Sequence, residues 1–340
     1  MKNKIDRRKE DHLRINLEED VNSAISNGLE RYYFEHQALP ELDLKQIDTS
    51  LKLFGKSQKA PIFISSMIGG TKETLVINEK LASVAQSFGI GMGVGSQRIG
   101  LEEERKMAFF DIRKYAPDII LMANIGAVQL NYSISPDDCK AIVESIGADA
   151  LILHLNPLQE ALQSEGDTNF SGLQKKIAEV CHRVPVPVVI KEVGWGISLA
   201  TAKKLVESGV AVIDVAGAGG TSWSEVEKNR MEDEVYRNIA SSFRDWGIST
   251  AQSIIDVREA CPELPIFASG GLRSGVDVAK CIALGACNCG FAGMFLRAAS
   301  ISEARLIDKI NEIIIGLRIS MFVAGAPNIS SLQKTPLGKR

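Results

Sequence analysis

Short apolar runs alternate along this chain with segments whose apolar positions recur at helical spacing. The runs centre on Ile62-Phe63-Ile64, Ile90-Gly91-Met92, Ile119-Ile120-Leu121-Met122 and Leu151-Ile152-Leu153. They continue with Val188-Val189-Ile190, Val212-Ile213-Asp214-Val215, Ile266-Phe267-Ala268 and Cys289-Gly290-Phe291. Each has the length and composition of a strand buried on both faces. Between them, Leu81, Val84, Ala85 and Phe88 keep the i, i+3, i+4, i+7 spacing of one helix face. Cys139, Ile142, Val143 and Ile146 repeat it, as do Ala202, Leu205, Val206 and Gly209. Residues 277–284 form another such pattern, and residues 307–323 predict a long final helix. Gly89, Pro117, Gly147, Pro185, Gly209, Pro265 and Gly285 mark the junctions.

Eight repeats of strand then helix predict an α/β fold, the (β/α)8 barrel. A doubly wound open sheet is the alternative, but it needs neither eight units nor the paired late glycine turns described below. Two segments fall outside the repeat. Residues 1–50 are charged and only partly periodic, an arm ahead of a barrel expected over residues 51–340. Residues 217–248 form a long charged insertion after the sixth strand, and long loops at that end of a barrel are usually functional.

The fourth run leads straight into His154-Leu155-Asn156-Pro157-Leu158-Gln159-Glu160. Alternate side chains of a strand share a face, so His154 and Asn156 are expected on one side and Leu153 and Leu155 on the other. Pro157 is expected to end the strand, with Gln159 and Glu160 at its exit. An imidazole, two amides and a carboxylate thus gather at the C-terminal end of a buried strand, where parallel α/β proteins build active sites.

Composition narrows the function. Of 340 residues, 45% are hydrophobic, ample for a core, and only 6% are aromatic, which suits small and β-branched parallel strands. A net charge of −3 offers no basic field for nucleic acid or an anionic membrane. No apolar run approaches the roughly 20 residues that span a bilayer. The N-terminal run is charged throughout and lacks an apolar signal region. Six cysteines contain no CxxC pair and read as buried free thiols of a reducing cytoplasm.

The seventh and eighth strands each end in a glycine turn, at Ser269-Gly270-Gly271-Leu272-Arg273 and Ala292-Gly293. Backbone N–H groups at such turns bind phosphate, and in barrels that site follows strands seven and eight. Arg273 adds charge there. Lys191 ends the fifth strand and faces either the site or a salt bridge. A Schiff-base role needs a carbonyl substrate; a cation holding negative charge on a cofactor fits the phosphate site better. Ser65-Ser66-Met67-Ile68-Gly69-Gly70, Ser96-Gln97-Arg98, Asn124 and Gly219-Gly220-Thr221-Ser222-Trp223 place polar or glycine-rich sequence at other strand ends. The basic cluster Arg7-Arg8-Lys9 with His12 is either a solvated terminus or a clamp for an anion.

Taken in order, Arg8-Lys9-Glu10-Asp11-His12, Ser66-Met67-Ile68-Gly69-Gly70, Gly95-Ser96-Gln97-Arg98, the 154–160 segment, Lys191-Glu192-Val193-Gly194 and the 219–223 segment resemble type 2, FMN-dependent isopentenyl-diphosphate isomerases. The match covers nearly the whole chain. The resemblance implies reversible conversion of isopentenyl diphosphate to dimethylallyl diphosphate by an allylic proton shift, in isoprenoid biosynthesis. It further implies reduced FMN, Mg2+, NADPH or NADH as the flavin reductant, and a homotetramer or homo-octamer. Carried over by motif, Arg8, Lys9, His12, Ser96, Gln97, Arg98 and Gln159 hold substrate. Ser66, Met67, Ile68, Ser96, Asn124, Lys191, Thr221, Gly270, Gly271, Leu272, Arg273, Ala292 and Gly293 surround FMN. Many relatives carry Thr where Ile68 stands, and some carry a hydroxyl residue where Ala216 stands.

Glu160 is the implied Mg2+ ligand. One carboxylate suits a metal that bridges to substrate phosphates, with waters completing its octahedron. Gln159, His154, Asn156 and Lys191 form the implied catalytic group. An amide is a poor acid, which favours the flavin as proton donor with Gln159 and His154 positioning substrate. Two other readings compete. A 2-hydroxy-acid oxidase on a similar barrel needs a late histidine base, and no histidine follows His182. A non-catalytic flavin or prenyl-phosphate binding barrel would show binding without turnover.

Overall fold

The computed structural model describes residues 4–340, with side chains from Arg7 onward; the first three residues of the charged N-terminal run lie outside them. All eight apolar runs form strands: β1 (Ile62–Ile64), β2 (Gly91–Gly93), β3 (Leu121–Gly126), β4 (Ala150–Leu155), β5 (Val188–Glu192), β6 (Val212–Asp214), β7 (Ile266–Ser269) and β8 (Asn288–Phe291). They pair in parallel in chain order, and β8 returns to β1 through Cys289↔Ile62 and Phe291↔Ile64. The sheet is therefore a closed barrel, and the doubly wound alternative is excluded.

The third and fourth strands run past their apolar cores, to Gly126 and Leu155. The extensions carry Asn124 and His154, and their register sets Gly126 beside His154. Each polar side chain satisfies the other, so the ladder continues without an unpaired buried group. Helix Lys72–Phe88 buries Leu81, Val84 and Ala85, and Pro136–Ser145 buries Cys139, Ile142 and Val143, as the spacing predicts. Helix Leu199–Glu207 departs from its pattern: Ala202 and Leu205 are buried, Val206 is exposed, and Gly209 lies beyond the helix. The final long helix starts earlier than its apolar pattern, at Glu303, because Ser302 caps it by accepting from Arg305 N–H.

Phe63, Ile120, Met122, Ile152, Val189, Val212 and Phe267 fill the N-terminal half of the barrel interior. A hairpin of Leu51–Leu53 and Lys56–Gln58 plugs that end, with Phe54 against the interior cluster and its ring 6.3 Å from that of Phe267. The filled lower half leaves the C-terminal half for polar side chains and a cavity. Residues 4–50 do not form one arm. Helix Lys4–Glu18 lies across the cavity mouth, anchored by the fully buried Ile15 against Val21 and Val226. Farther on, Tyr32–Phe34 pairs antiparallel with Leu337–Lys339, and Asp48 N–H donates to Pro327 O. The insertion after β6 holds helices Trp223–Lys228 and Glu234–Ser241. Among the described residues, no helix is long and apolar enough to cross a membrane. All six cysteines are free thiols.

Candidate active site

A cavity of about 310 Å³ opens at the C-terminal ends of the strands. Every residue assigned above to substrate, FMN, metal or catalysis borders it except Gln97. Gln97 is fully buried and spends its amide inside the protein. Its Oε1 accepts from Asn124 N–H at 3.1 Å, and its Nε2 donates to Ile142 O at 3.3 Å. These bonds make Gln97 a brace between the β2 exit and β3.

The β4 exit also differs from its alternation pattern. The strand ends at Leu155, and Asn156 (φ −139°, ψ 47°) precedes helix Pro157–Leu162, with proline in its first turn. Pro157 thus opens a helix as well as closing a strand. The turn folds the exit back on itself, so Asn156 Nδ2 reaches Glu160 Oε1 at 2.8 Å and Gln159 Oε1 at 3.2 Å. Glu160 Oε2 accepts from Asp167 N–H at 2.8 Å. Burial pushes the Glu160 carboxyl up, and these two donors oppose it. A carboxylate has about four lone-pair sites, so two remain for a cation.

His154 Nδ1 lies 2.8 Å from Asn124 Oδ1. Burial, with Lys191 and then Arg8 nearby, lowers its pKa to about 4. The ring is neutral at physiological pH. Because the carbonyl oxygen of Asn124 only accepts, Nδ1 carries the proton and Nε2 keeps its lone pair.

Three elements meet at a carboxylate that sequence reasoning missed. Glu227 Oε1 accepts from Gln159 Nε2 and Gln163 Nε2 and faces His12 Nε2, each at 3.0 Å. Its Oε2 accepts from Arg230 Nη1 at 2.6 Å. Burial raises the Glu227 carboxyl, but His12, Arg230 and Gln159 outweigh it and hold the pKa down. In sequence Glu227 sits in the charged 217–248 insertion, which reads as functional as a whole, but no local signal singles this carboxylate out from its neighbours.

The N-terminal helix approaches the same region. Arg8 Nη1 donates to Gln163 Oε1 at 3.1 Å, and Lys9 Nζ donates to Gly69 O at 2.6 Å and Ser96 O at 3.1 Å. Arg98 borders the cavity while paired with Asp167 at 2.6 Å and Glu102 at 2.8 Å. Arg8, Lys9 and Arg98 gather cationic charge beside Glu160 at this end.

The opposite end is built from backbone. Gly270 (φ 108°) and Gly271 (φ 71°) adopt a conformation that side chains resist. A Cβ on Gly271 would lie 2.1 Å from Gly219 O, so the β6 and β7 exits interlock only through glycine. Asn27 Nδ2 donates to Gly271 O at 2.8 Å, another contact without a sequence signal. Helix Gly293–Ile301 begins directly after β8. Arg273 and Arg297 border the cavity there, and their guanidinium groups make no hydrogen bond or ion pair among the described residues. Arg297 was legible, one helical turn beyond Gly293.

This end fits the phosphate of FMN, with glycine turns, a helix start and two available arginines. The centre fits the ring: Ser66 Oγ is buried without a hydrogen-bond partner among the described residues, and Lys191 lines the same cavity. No group of three or more potential metal ligands occurs among the described residues. Glu160 alone suits a cation whose other ligands are phosphate oxygens and water.

Residues 117–339 match the FMN-dependent dehydrogenase family. Solved structures of the same fold include a mandelate oxidase (17% identity, TM-score 0.66, covering 97% of this chain and 92% of that one). A lactate oxidase from Pediococcus acidilactici matches at 15% identity and TM-score 0.66, covering 97% and 86%. The family match places the chain in the class of FMN-dependent proteins, and the solved structures share its barrel. Nearer relatives are more specific. The isopentenyl-diphosphate delta-isomerase of Nostoc sp. is 52% identical over 96% of this chain and 93% of its own length. That of Rickettsia bellii is 50% identical over 97% of each. The chain belongs to the isopentenyl-diphosphate delta-isomerase family.

Proposed function

We propose that this chain interconverts isopentenyl diphosphate and dimethylallyl diphosphate by an allylic proton shift, serving isoprenoid biosynthesis, with reduced FMN and Mg2+ bound. The observation that carries the reading is a cavity with cationic side chains at both ends and Lys191 with the neutral His154 between them. The glycine turns with Arg273 and Arg297 suit one phosphate group. Arg8, Lys9, Arg98 and a Glu160-held Mg2+ suit a diphosphate.

When bound, reduced FMN supplies an electron-rich ring beside the substrate double bond. Lys191 places an ammonium where negative charge needs support in a dry site. Gln159 is fixed from two sides, its oxygen by Asn156 and its nitrogen by Glu227, so its amide holds one orientation. His154 keeps its proton on Nδ1 and offers Nε2 as an acceptor. Lys9 bonds the carbonyls of Gly69 and Ser96, which draws the N-terminal helix down and excludes water.

The allylic shift adds a proton at one carbon and removes one from another, so no electrons are consumed. NADPH or NADH is needed only to reduce the flavin beforehand. The direct test supplies limiting NADH or dithionite anaerobically and counts product. We expect many products per reducing equivalent; one product per hydride would make the chain an oxidoreductase. The 2-hydroxy-acid oxidase alternative lacks its late histidine, and binding without turnover would reveal the non-catalytic barrel.

Free thiols fit a cytoplasmic setting. Val235, Tyr236, Ile239 and Trp246 expose an apolar patch on the insertion, which supports assembly into a homotetramer or homo-octamer. Light scattering on the FMN-loaded protein checks the assembly, and a monomer would contradict it.

A further inference from the structure

Asp214 closes β6, and no step above uses it. It is 1% exposed and does not border the cavity. Its Oδ2 lies 3.7 Å from Lys191 Nζ. Its Oδ1 accepts from Ser269 Oγ at 2.7 Å and from Ala216 N–H at 3.3 Å. The barrel register imposes this meeting: Lys191 and Asp214 are paired positions of β5 and β6, and Ser269 lies on β7 two residues beyond the partner of Asp214. All three of these partners are donors. A carboxylate satisfies them all, whereas a protonated acid would need an acceptor for its own hydrogen. Burial pushes the Asp214 carboxyl up, with Lys191 foremost among the groups that oppose it.

A second observation involves the backbone. Ala216 has φ 37°, left-handed for a residue with a Cβ, and it borders the cavity. That conformation costs about 1–2 kcal/mol. The Asp214 bond to Ala216 N–H holds this turn in place. Lys191 Nζ donates to Glu192 O at 2.8 Å and to Ser269 Oγ at 3.5 Å, so Asp214 adds the opposing charge behind an ammonium already held, and it bonds the strained backbone beside it.

We infer that Asp214 is the positioning residue and counter-charge of Lys191, and that it thereby sets the reduction potential of the bound flavin. This rests on the reading of the cavity as an FMN site. A lone ammonium facing a dry cavity strongly favours negative charge on the ring. An ammonium backed by a carboxylate acts as a dipole, whose field falls off faster than that of a single charge. The pair keeps the reduced ring less stabilised, and so easier to oxidise, than Lys191 alone would.

Asp214→Asn keeps the shape and an oxygen for Ser269 and Ala216, but removes the charge. In the FMN-loaded variant we expect a more positive potential than wild type by dye-equilibrated titration, with FMN content retained. An unchanged potential overturns the inference, and is also the result a protonated Asp214 would give. Should Asp214→Asn lose FMN, Ser269→Ala leaves the carboxylate in place and removes the hydroxyl that links it to Lys191, donating to Asp214 Oδ1 and accepting from Lys191 Nζ. It should shift the potential the same way by less, and no shift again overturns the inference. A wild-type chain that takes up no FMN overturns the functional reading along with it. A loaded Asp214→Asn at wild-type potential overturns this inference alone.

Discussion

A neutral imidazole at position 154 has a measurable consequence. Its pKa is about 4 in the fold against an ordinary 6.5, so between these values the unfolded chain binds a proton that the native state does not. Stability from this residue is full above about pH 6.5 and is lost as pH falls toward 4. Wild type should therefore lose Tm more steeply than His154→Gln across that window; parallel curves would show that His154 protonates freely. Glu160→Gln should retain FMN yet lose Mg2+-dependent turnover on the order of a hundredfold or more, at or beyond the top of the range for a merely supporting residue. Unchanged Mg2+ dependence would remove Glu160 from the metal. Glu227→Gln weakens the acceptor that fixes Gln159, and kcat should fall about tenfold or more, the scale of one charge-assisted hydrogen bond. Residue identity was legible where a side chain lies in the last positions of a strand, as for His154 and Lys191, or in the turn just after it, as for Glu160. Gln97 follows a strand end too, but its backbone turns the amide away from the cavity. Glu227 was invisible because its partners come from other elements: His12, Gln159 and Gln163.

Elements were legible through period and punctuation. Buried strands read as apolar runs, and strand ends blurred where Asn124 and His154 satisfy each other inside the barrel. Helix faces read correctly except at Val206, where an apolar residue faces solvent without cost to the pattern. The glycine turns after β7 and β8 were legible as turns at strand ends. The interlock of Gly271 with Gly219 was not, because it needs two loops in space. Gly271→Val therefore acts first on loop packing: we expect flavin per polypeptide to collapse, and full FMN content would contradict the site. The N-terminal helix carries its own test. Removing residues 1–12 leaves Ile15 in its apolar seat but deletes Arg8, Lys9 and His12. KM for the diphosphate should rise about tenfold or more, the scale of one lost charged contact, while the barrel stays folded. Wild-type kinetics would make the helix a solvated terminus.

At the scale of the whole molecule, the barrel, its order and its working end all followed from eight repeats and one rule about strand ends. The path of residues 19–50 did not, because no periodic pattern marks a segment that finds its partners at the far end of the chain. There Tyr32–Phe34 pairs with Leu337–Lys339, and Arg340 N–H donates to Arg31 O at 2.8 Å. The closure spans some three hundred residues, and its entropic cost grows only slowly with that length. During synthesis, residues 31–34 must wait for residues 337–340 before this tie can form. A nascent or shortened chain can close its barrel and still leave residues 19–50 adrift, and the helix before them tethered only by its own contacts. Competence to hold substrate thus becomes a late event in the life of each polypeptide. Deleting residues 337–340 should expose the segment around Tyr32 to early proteolytic nicking while the barrel resists; equal resistance of both would show that the tie is dispensable.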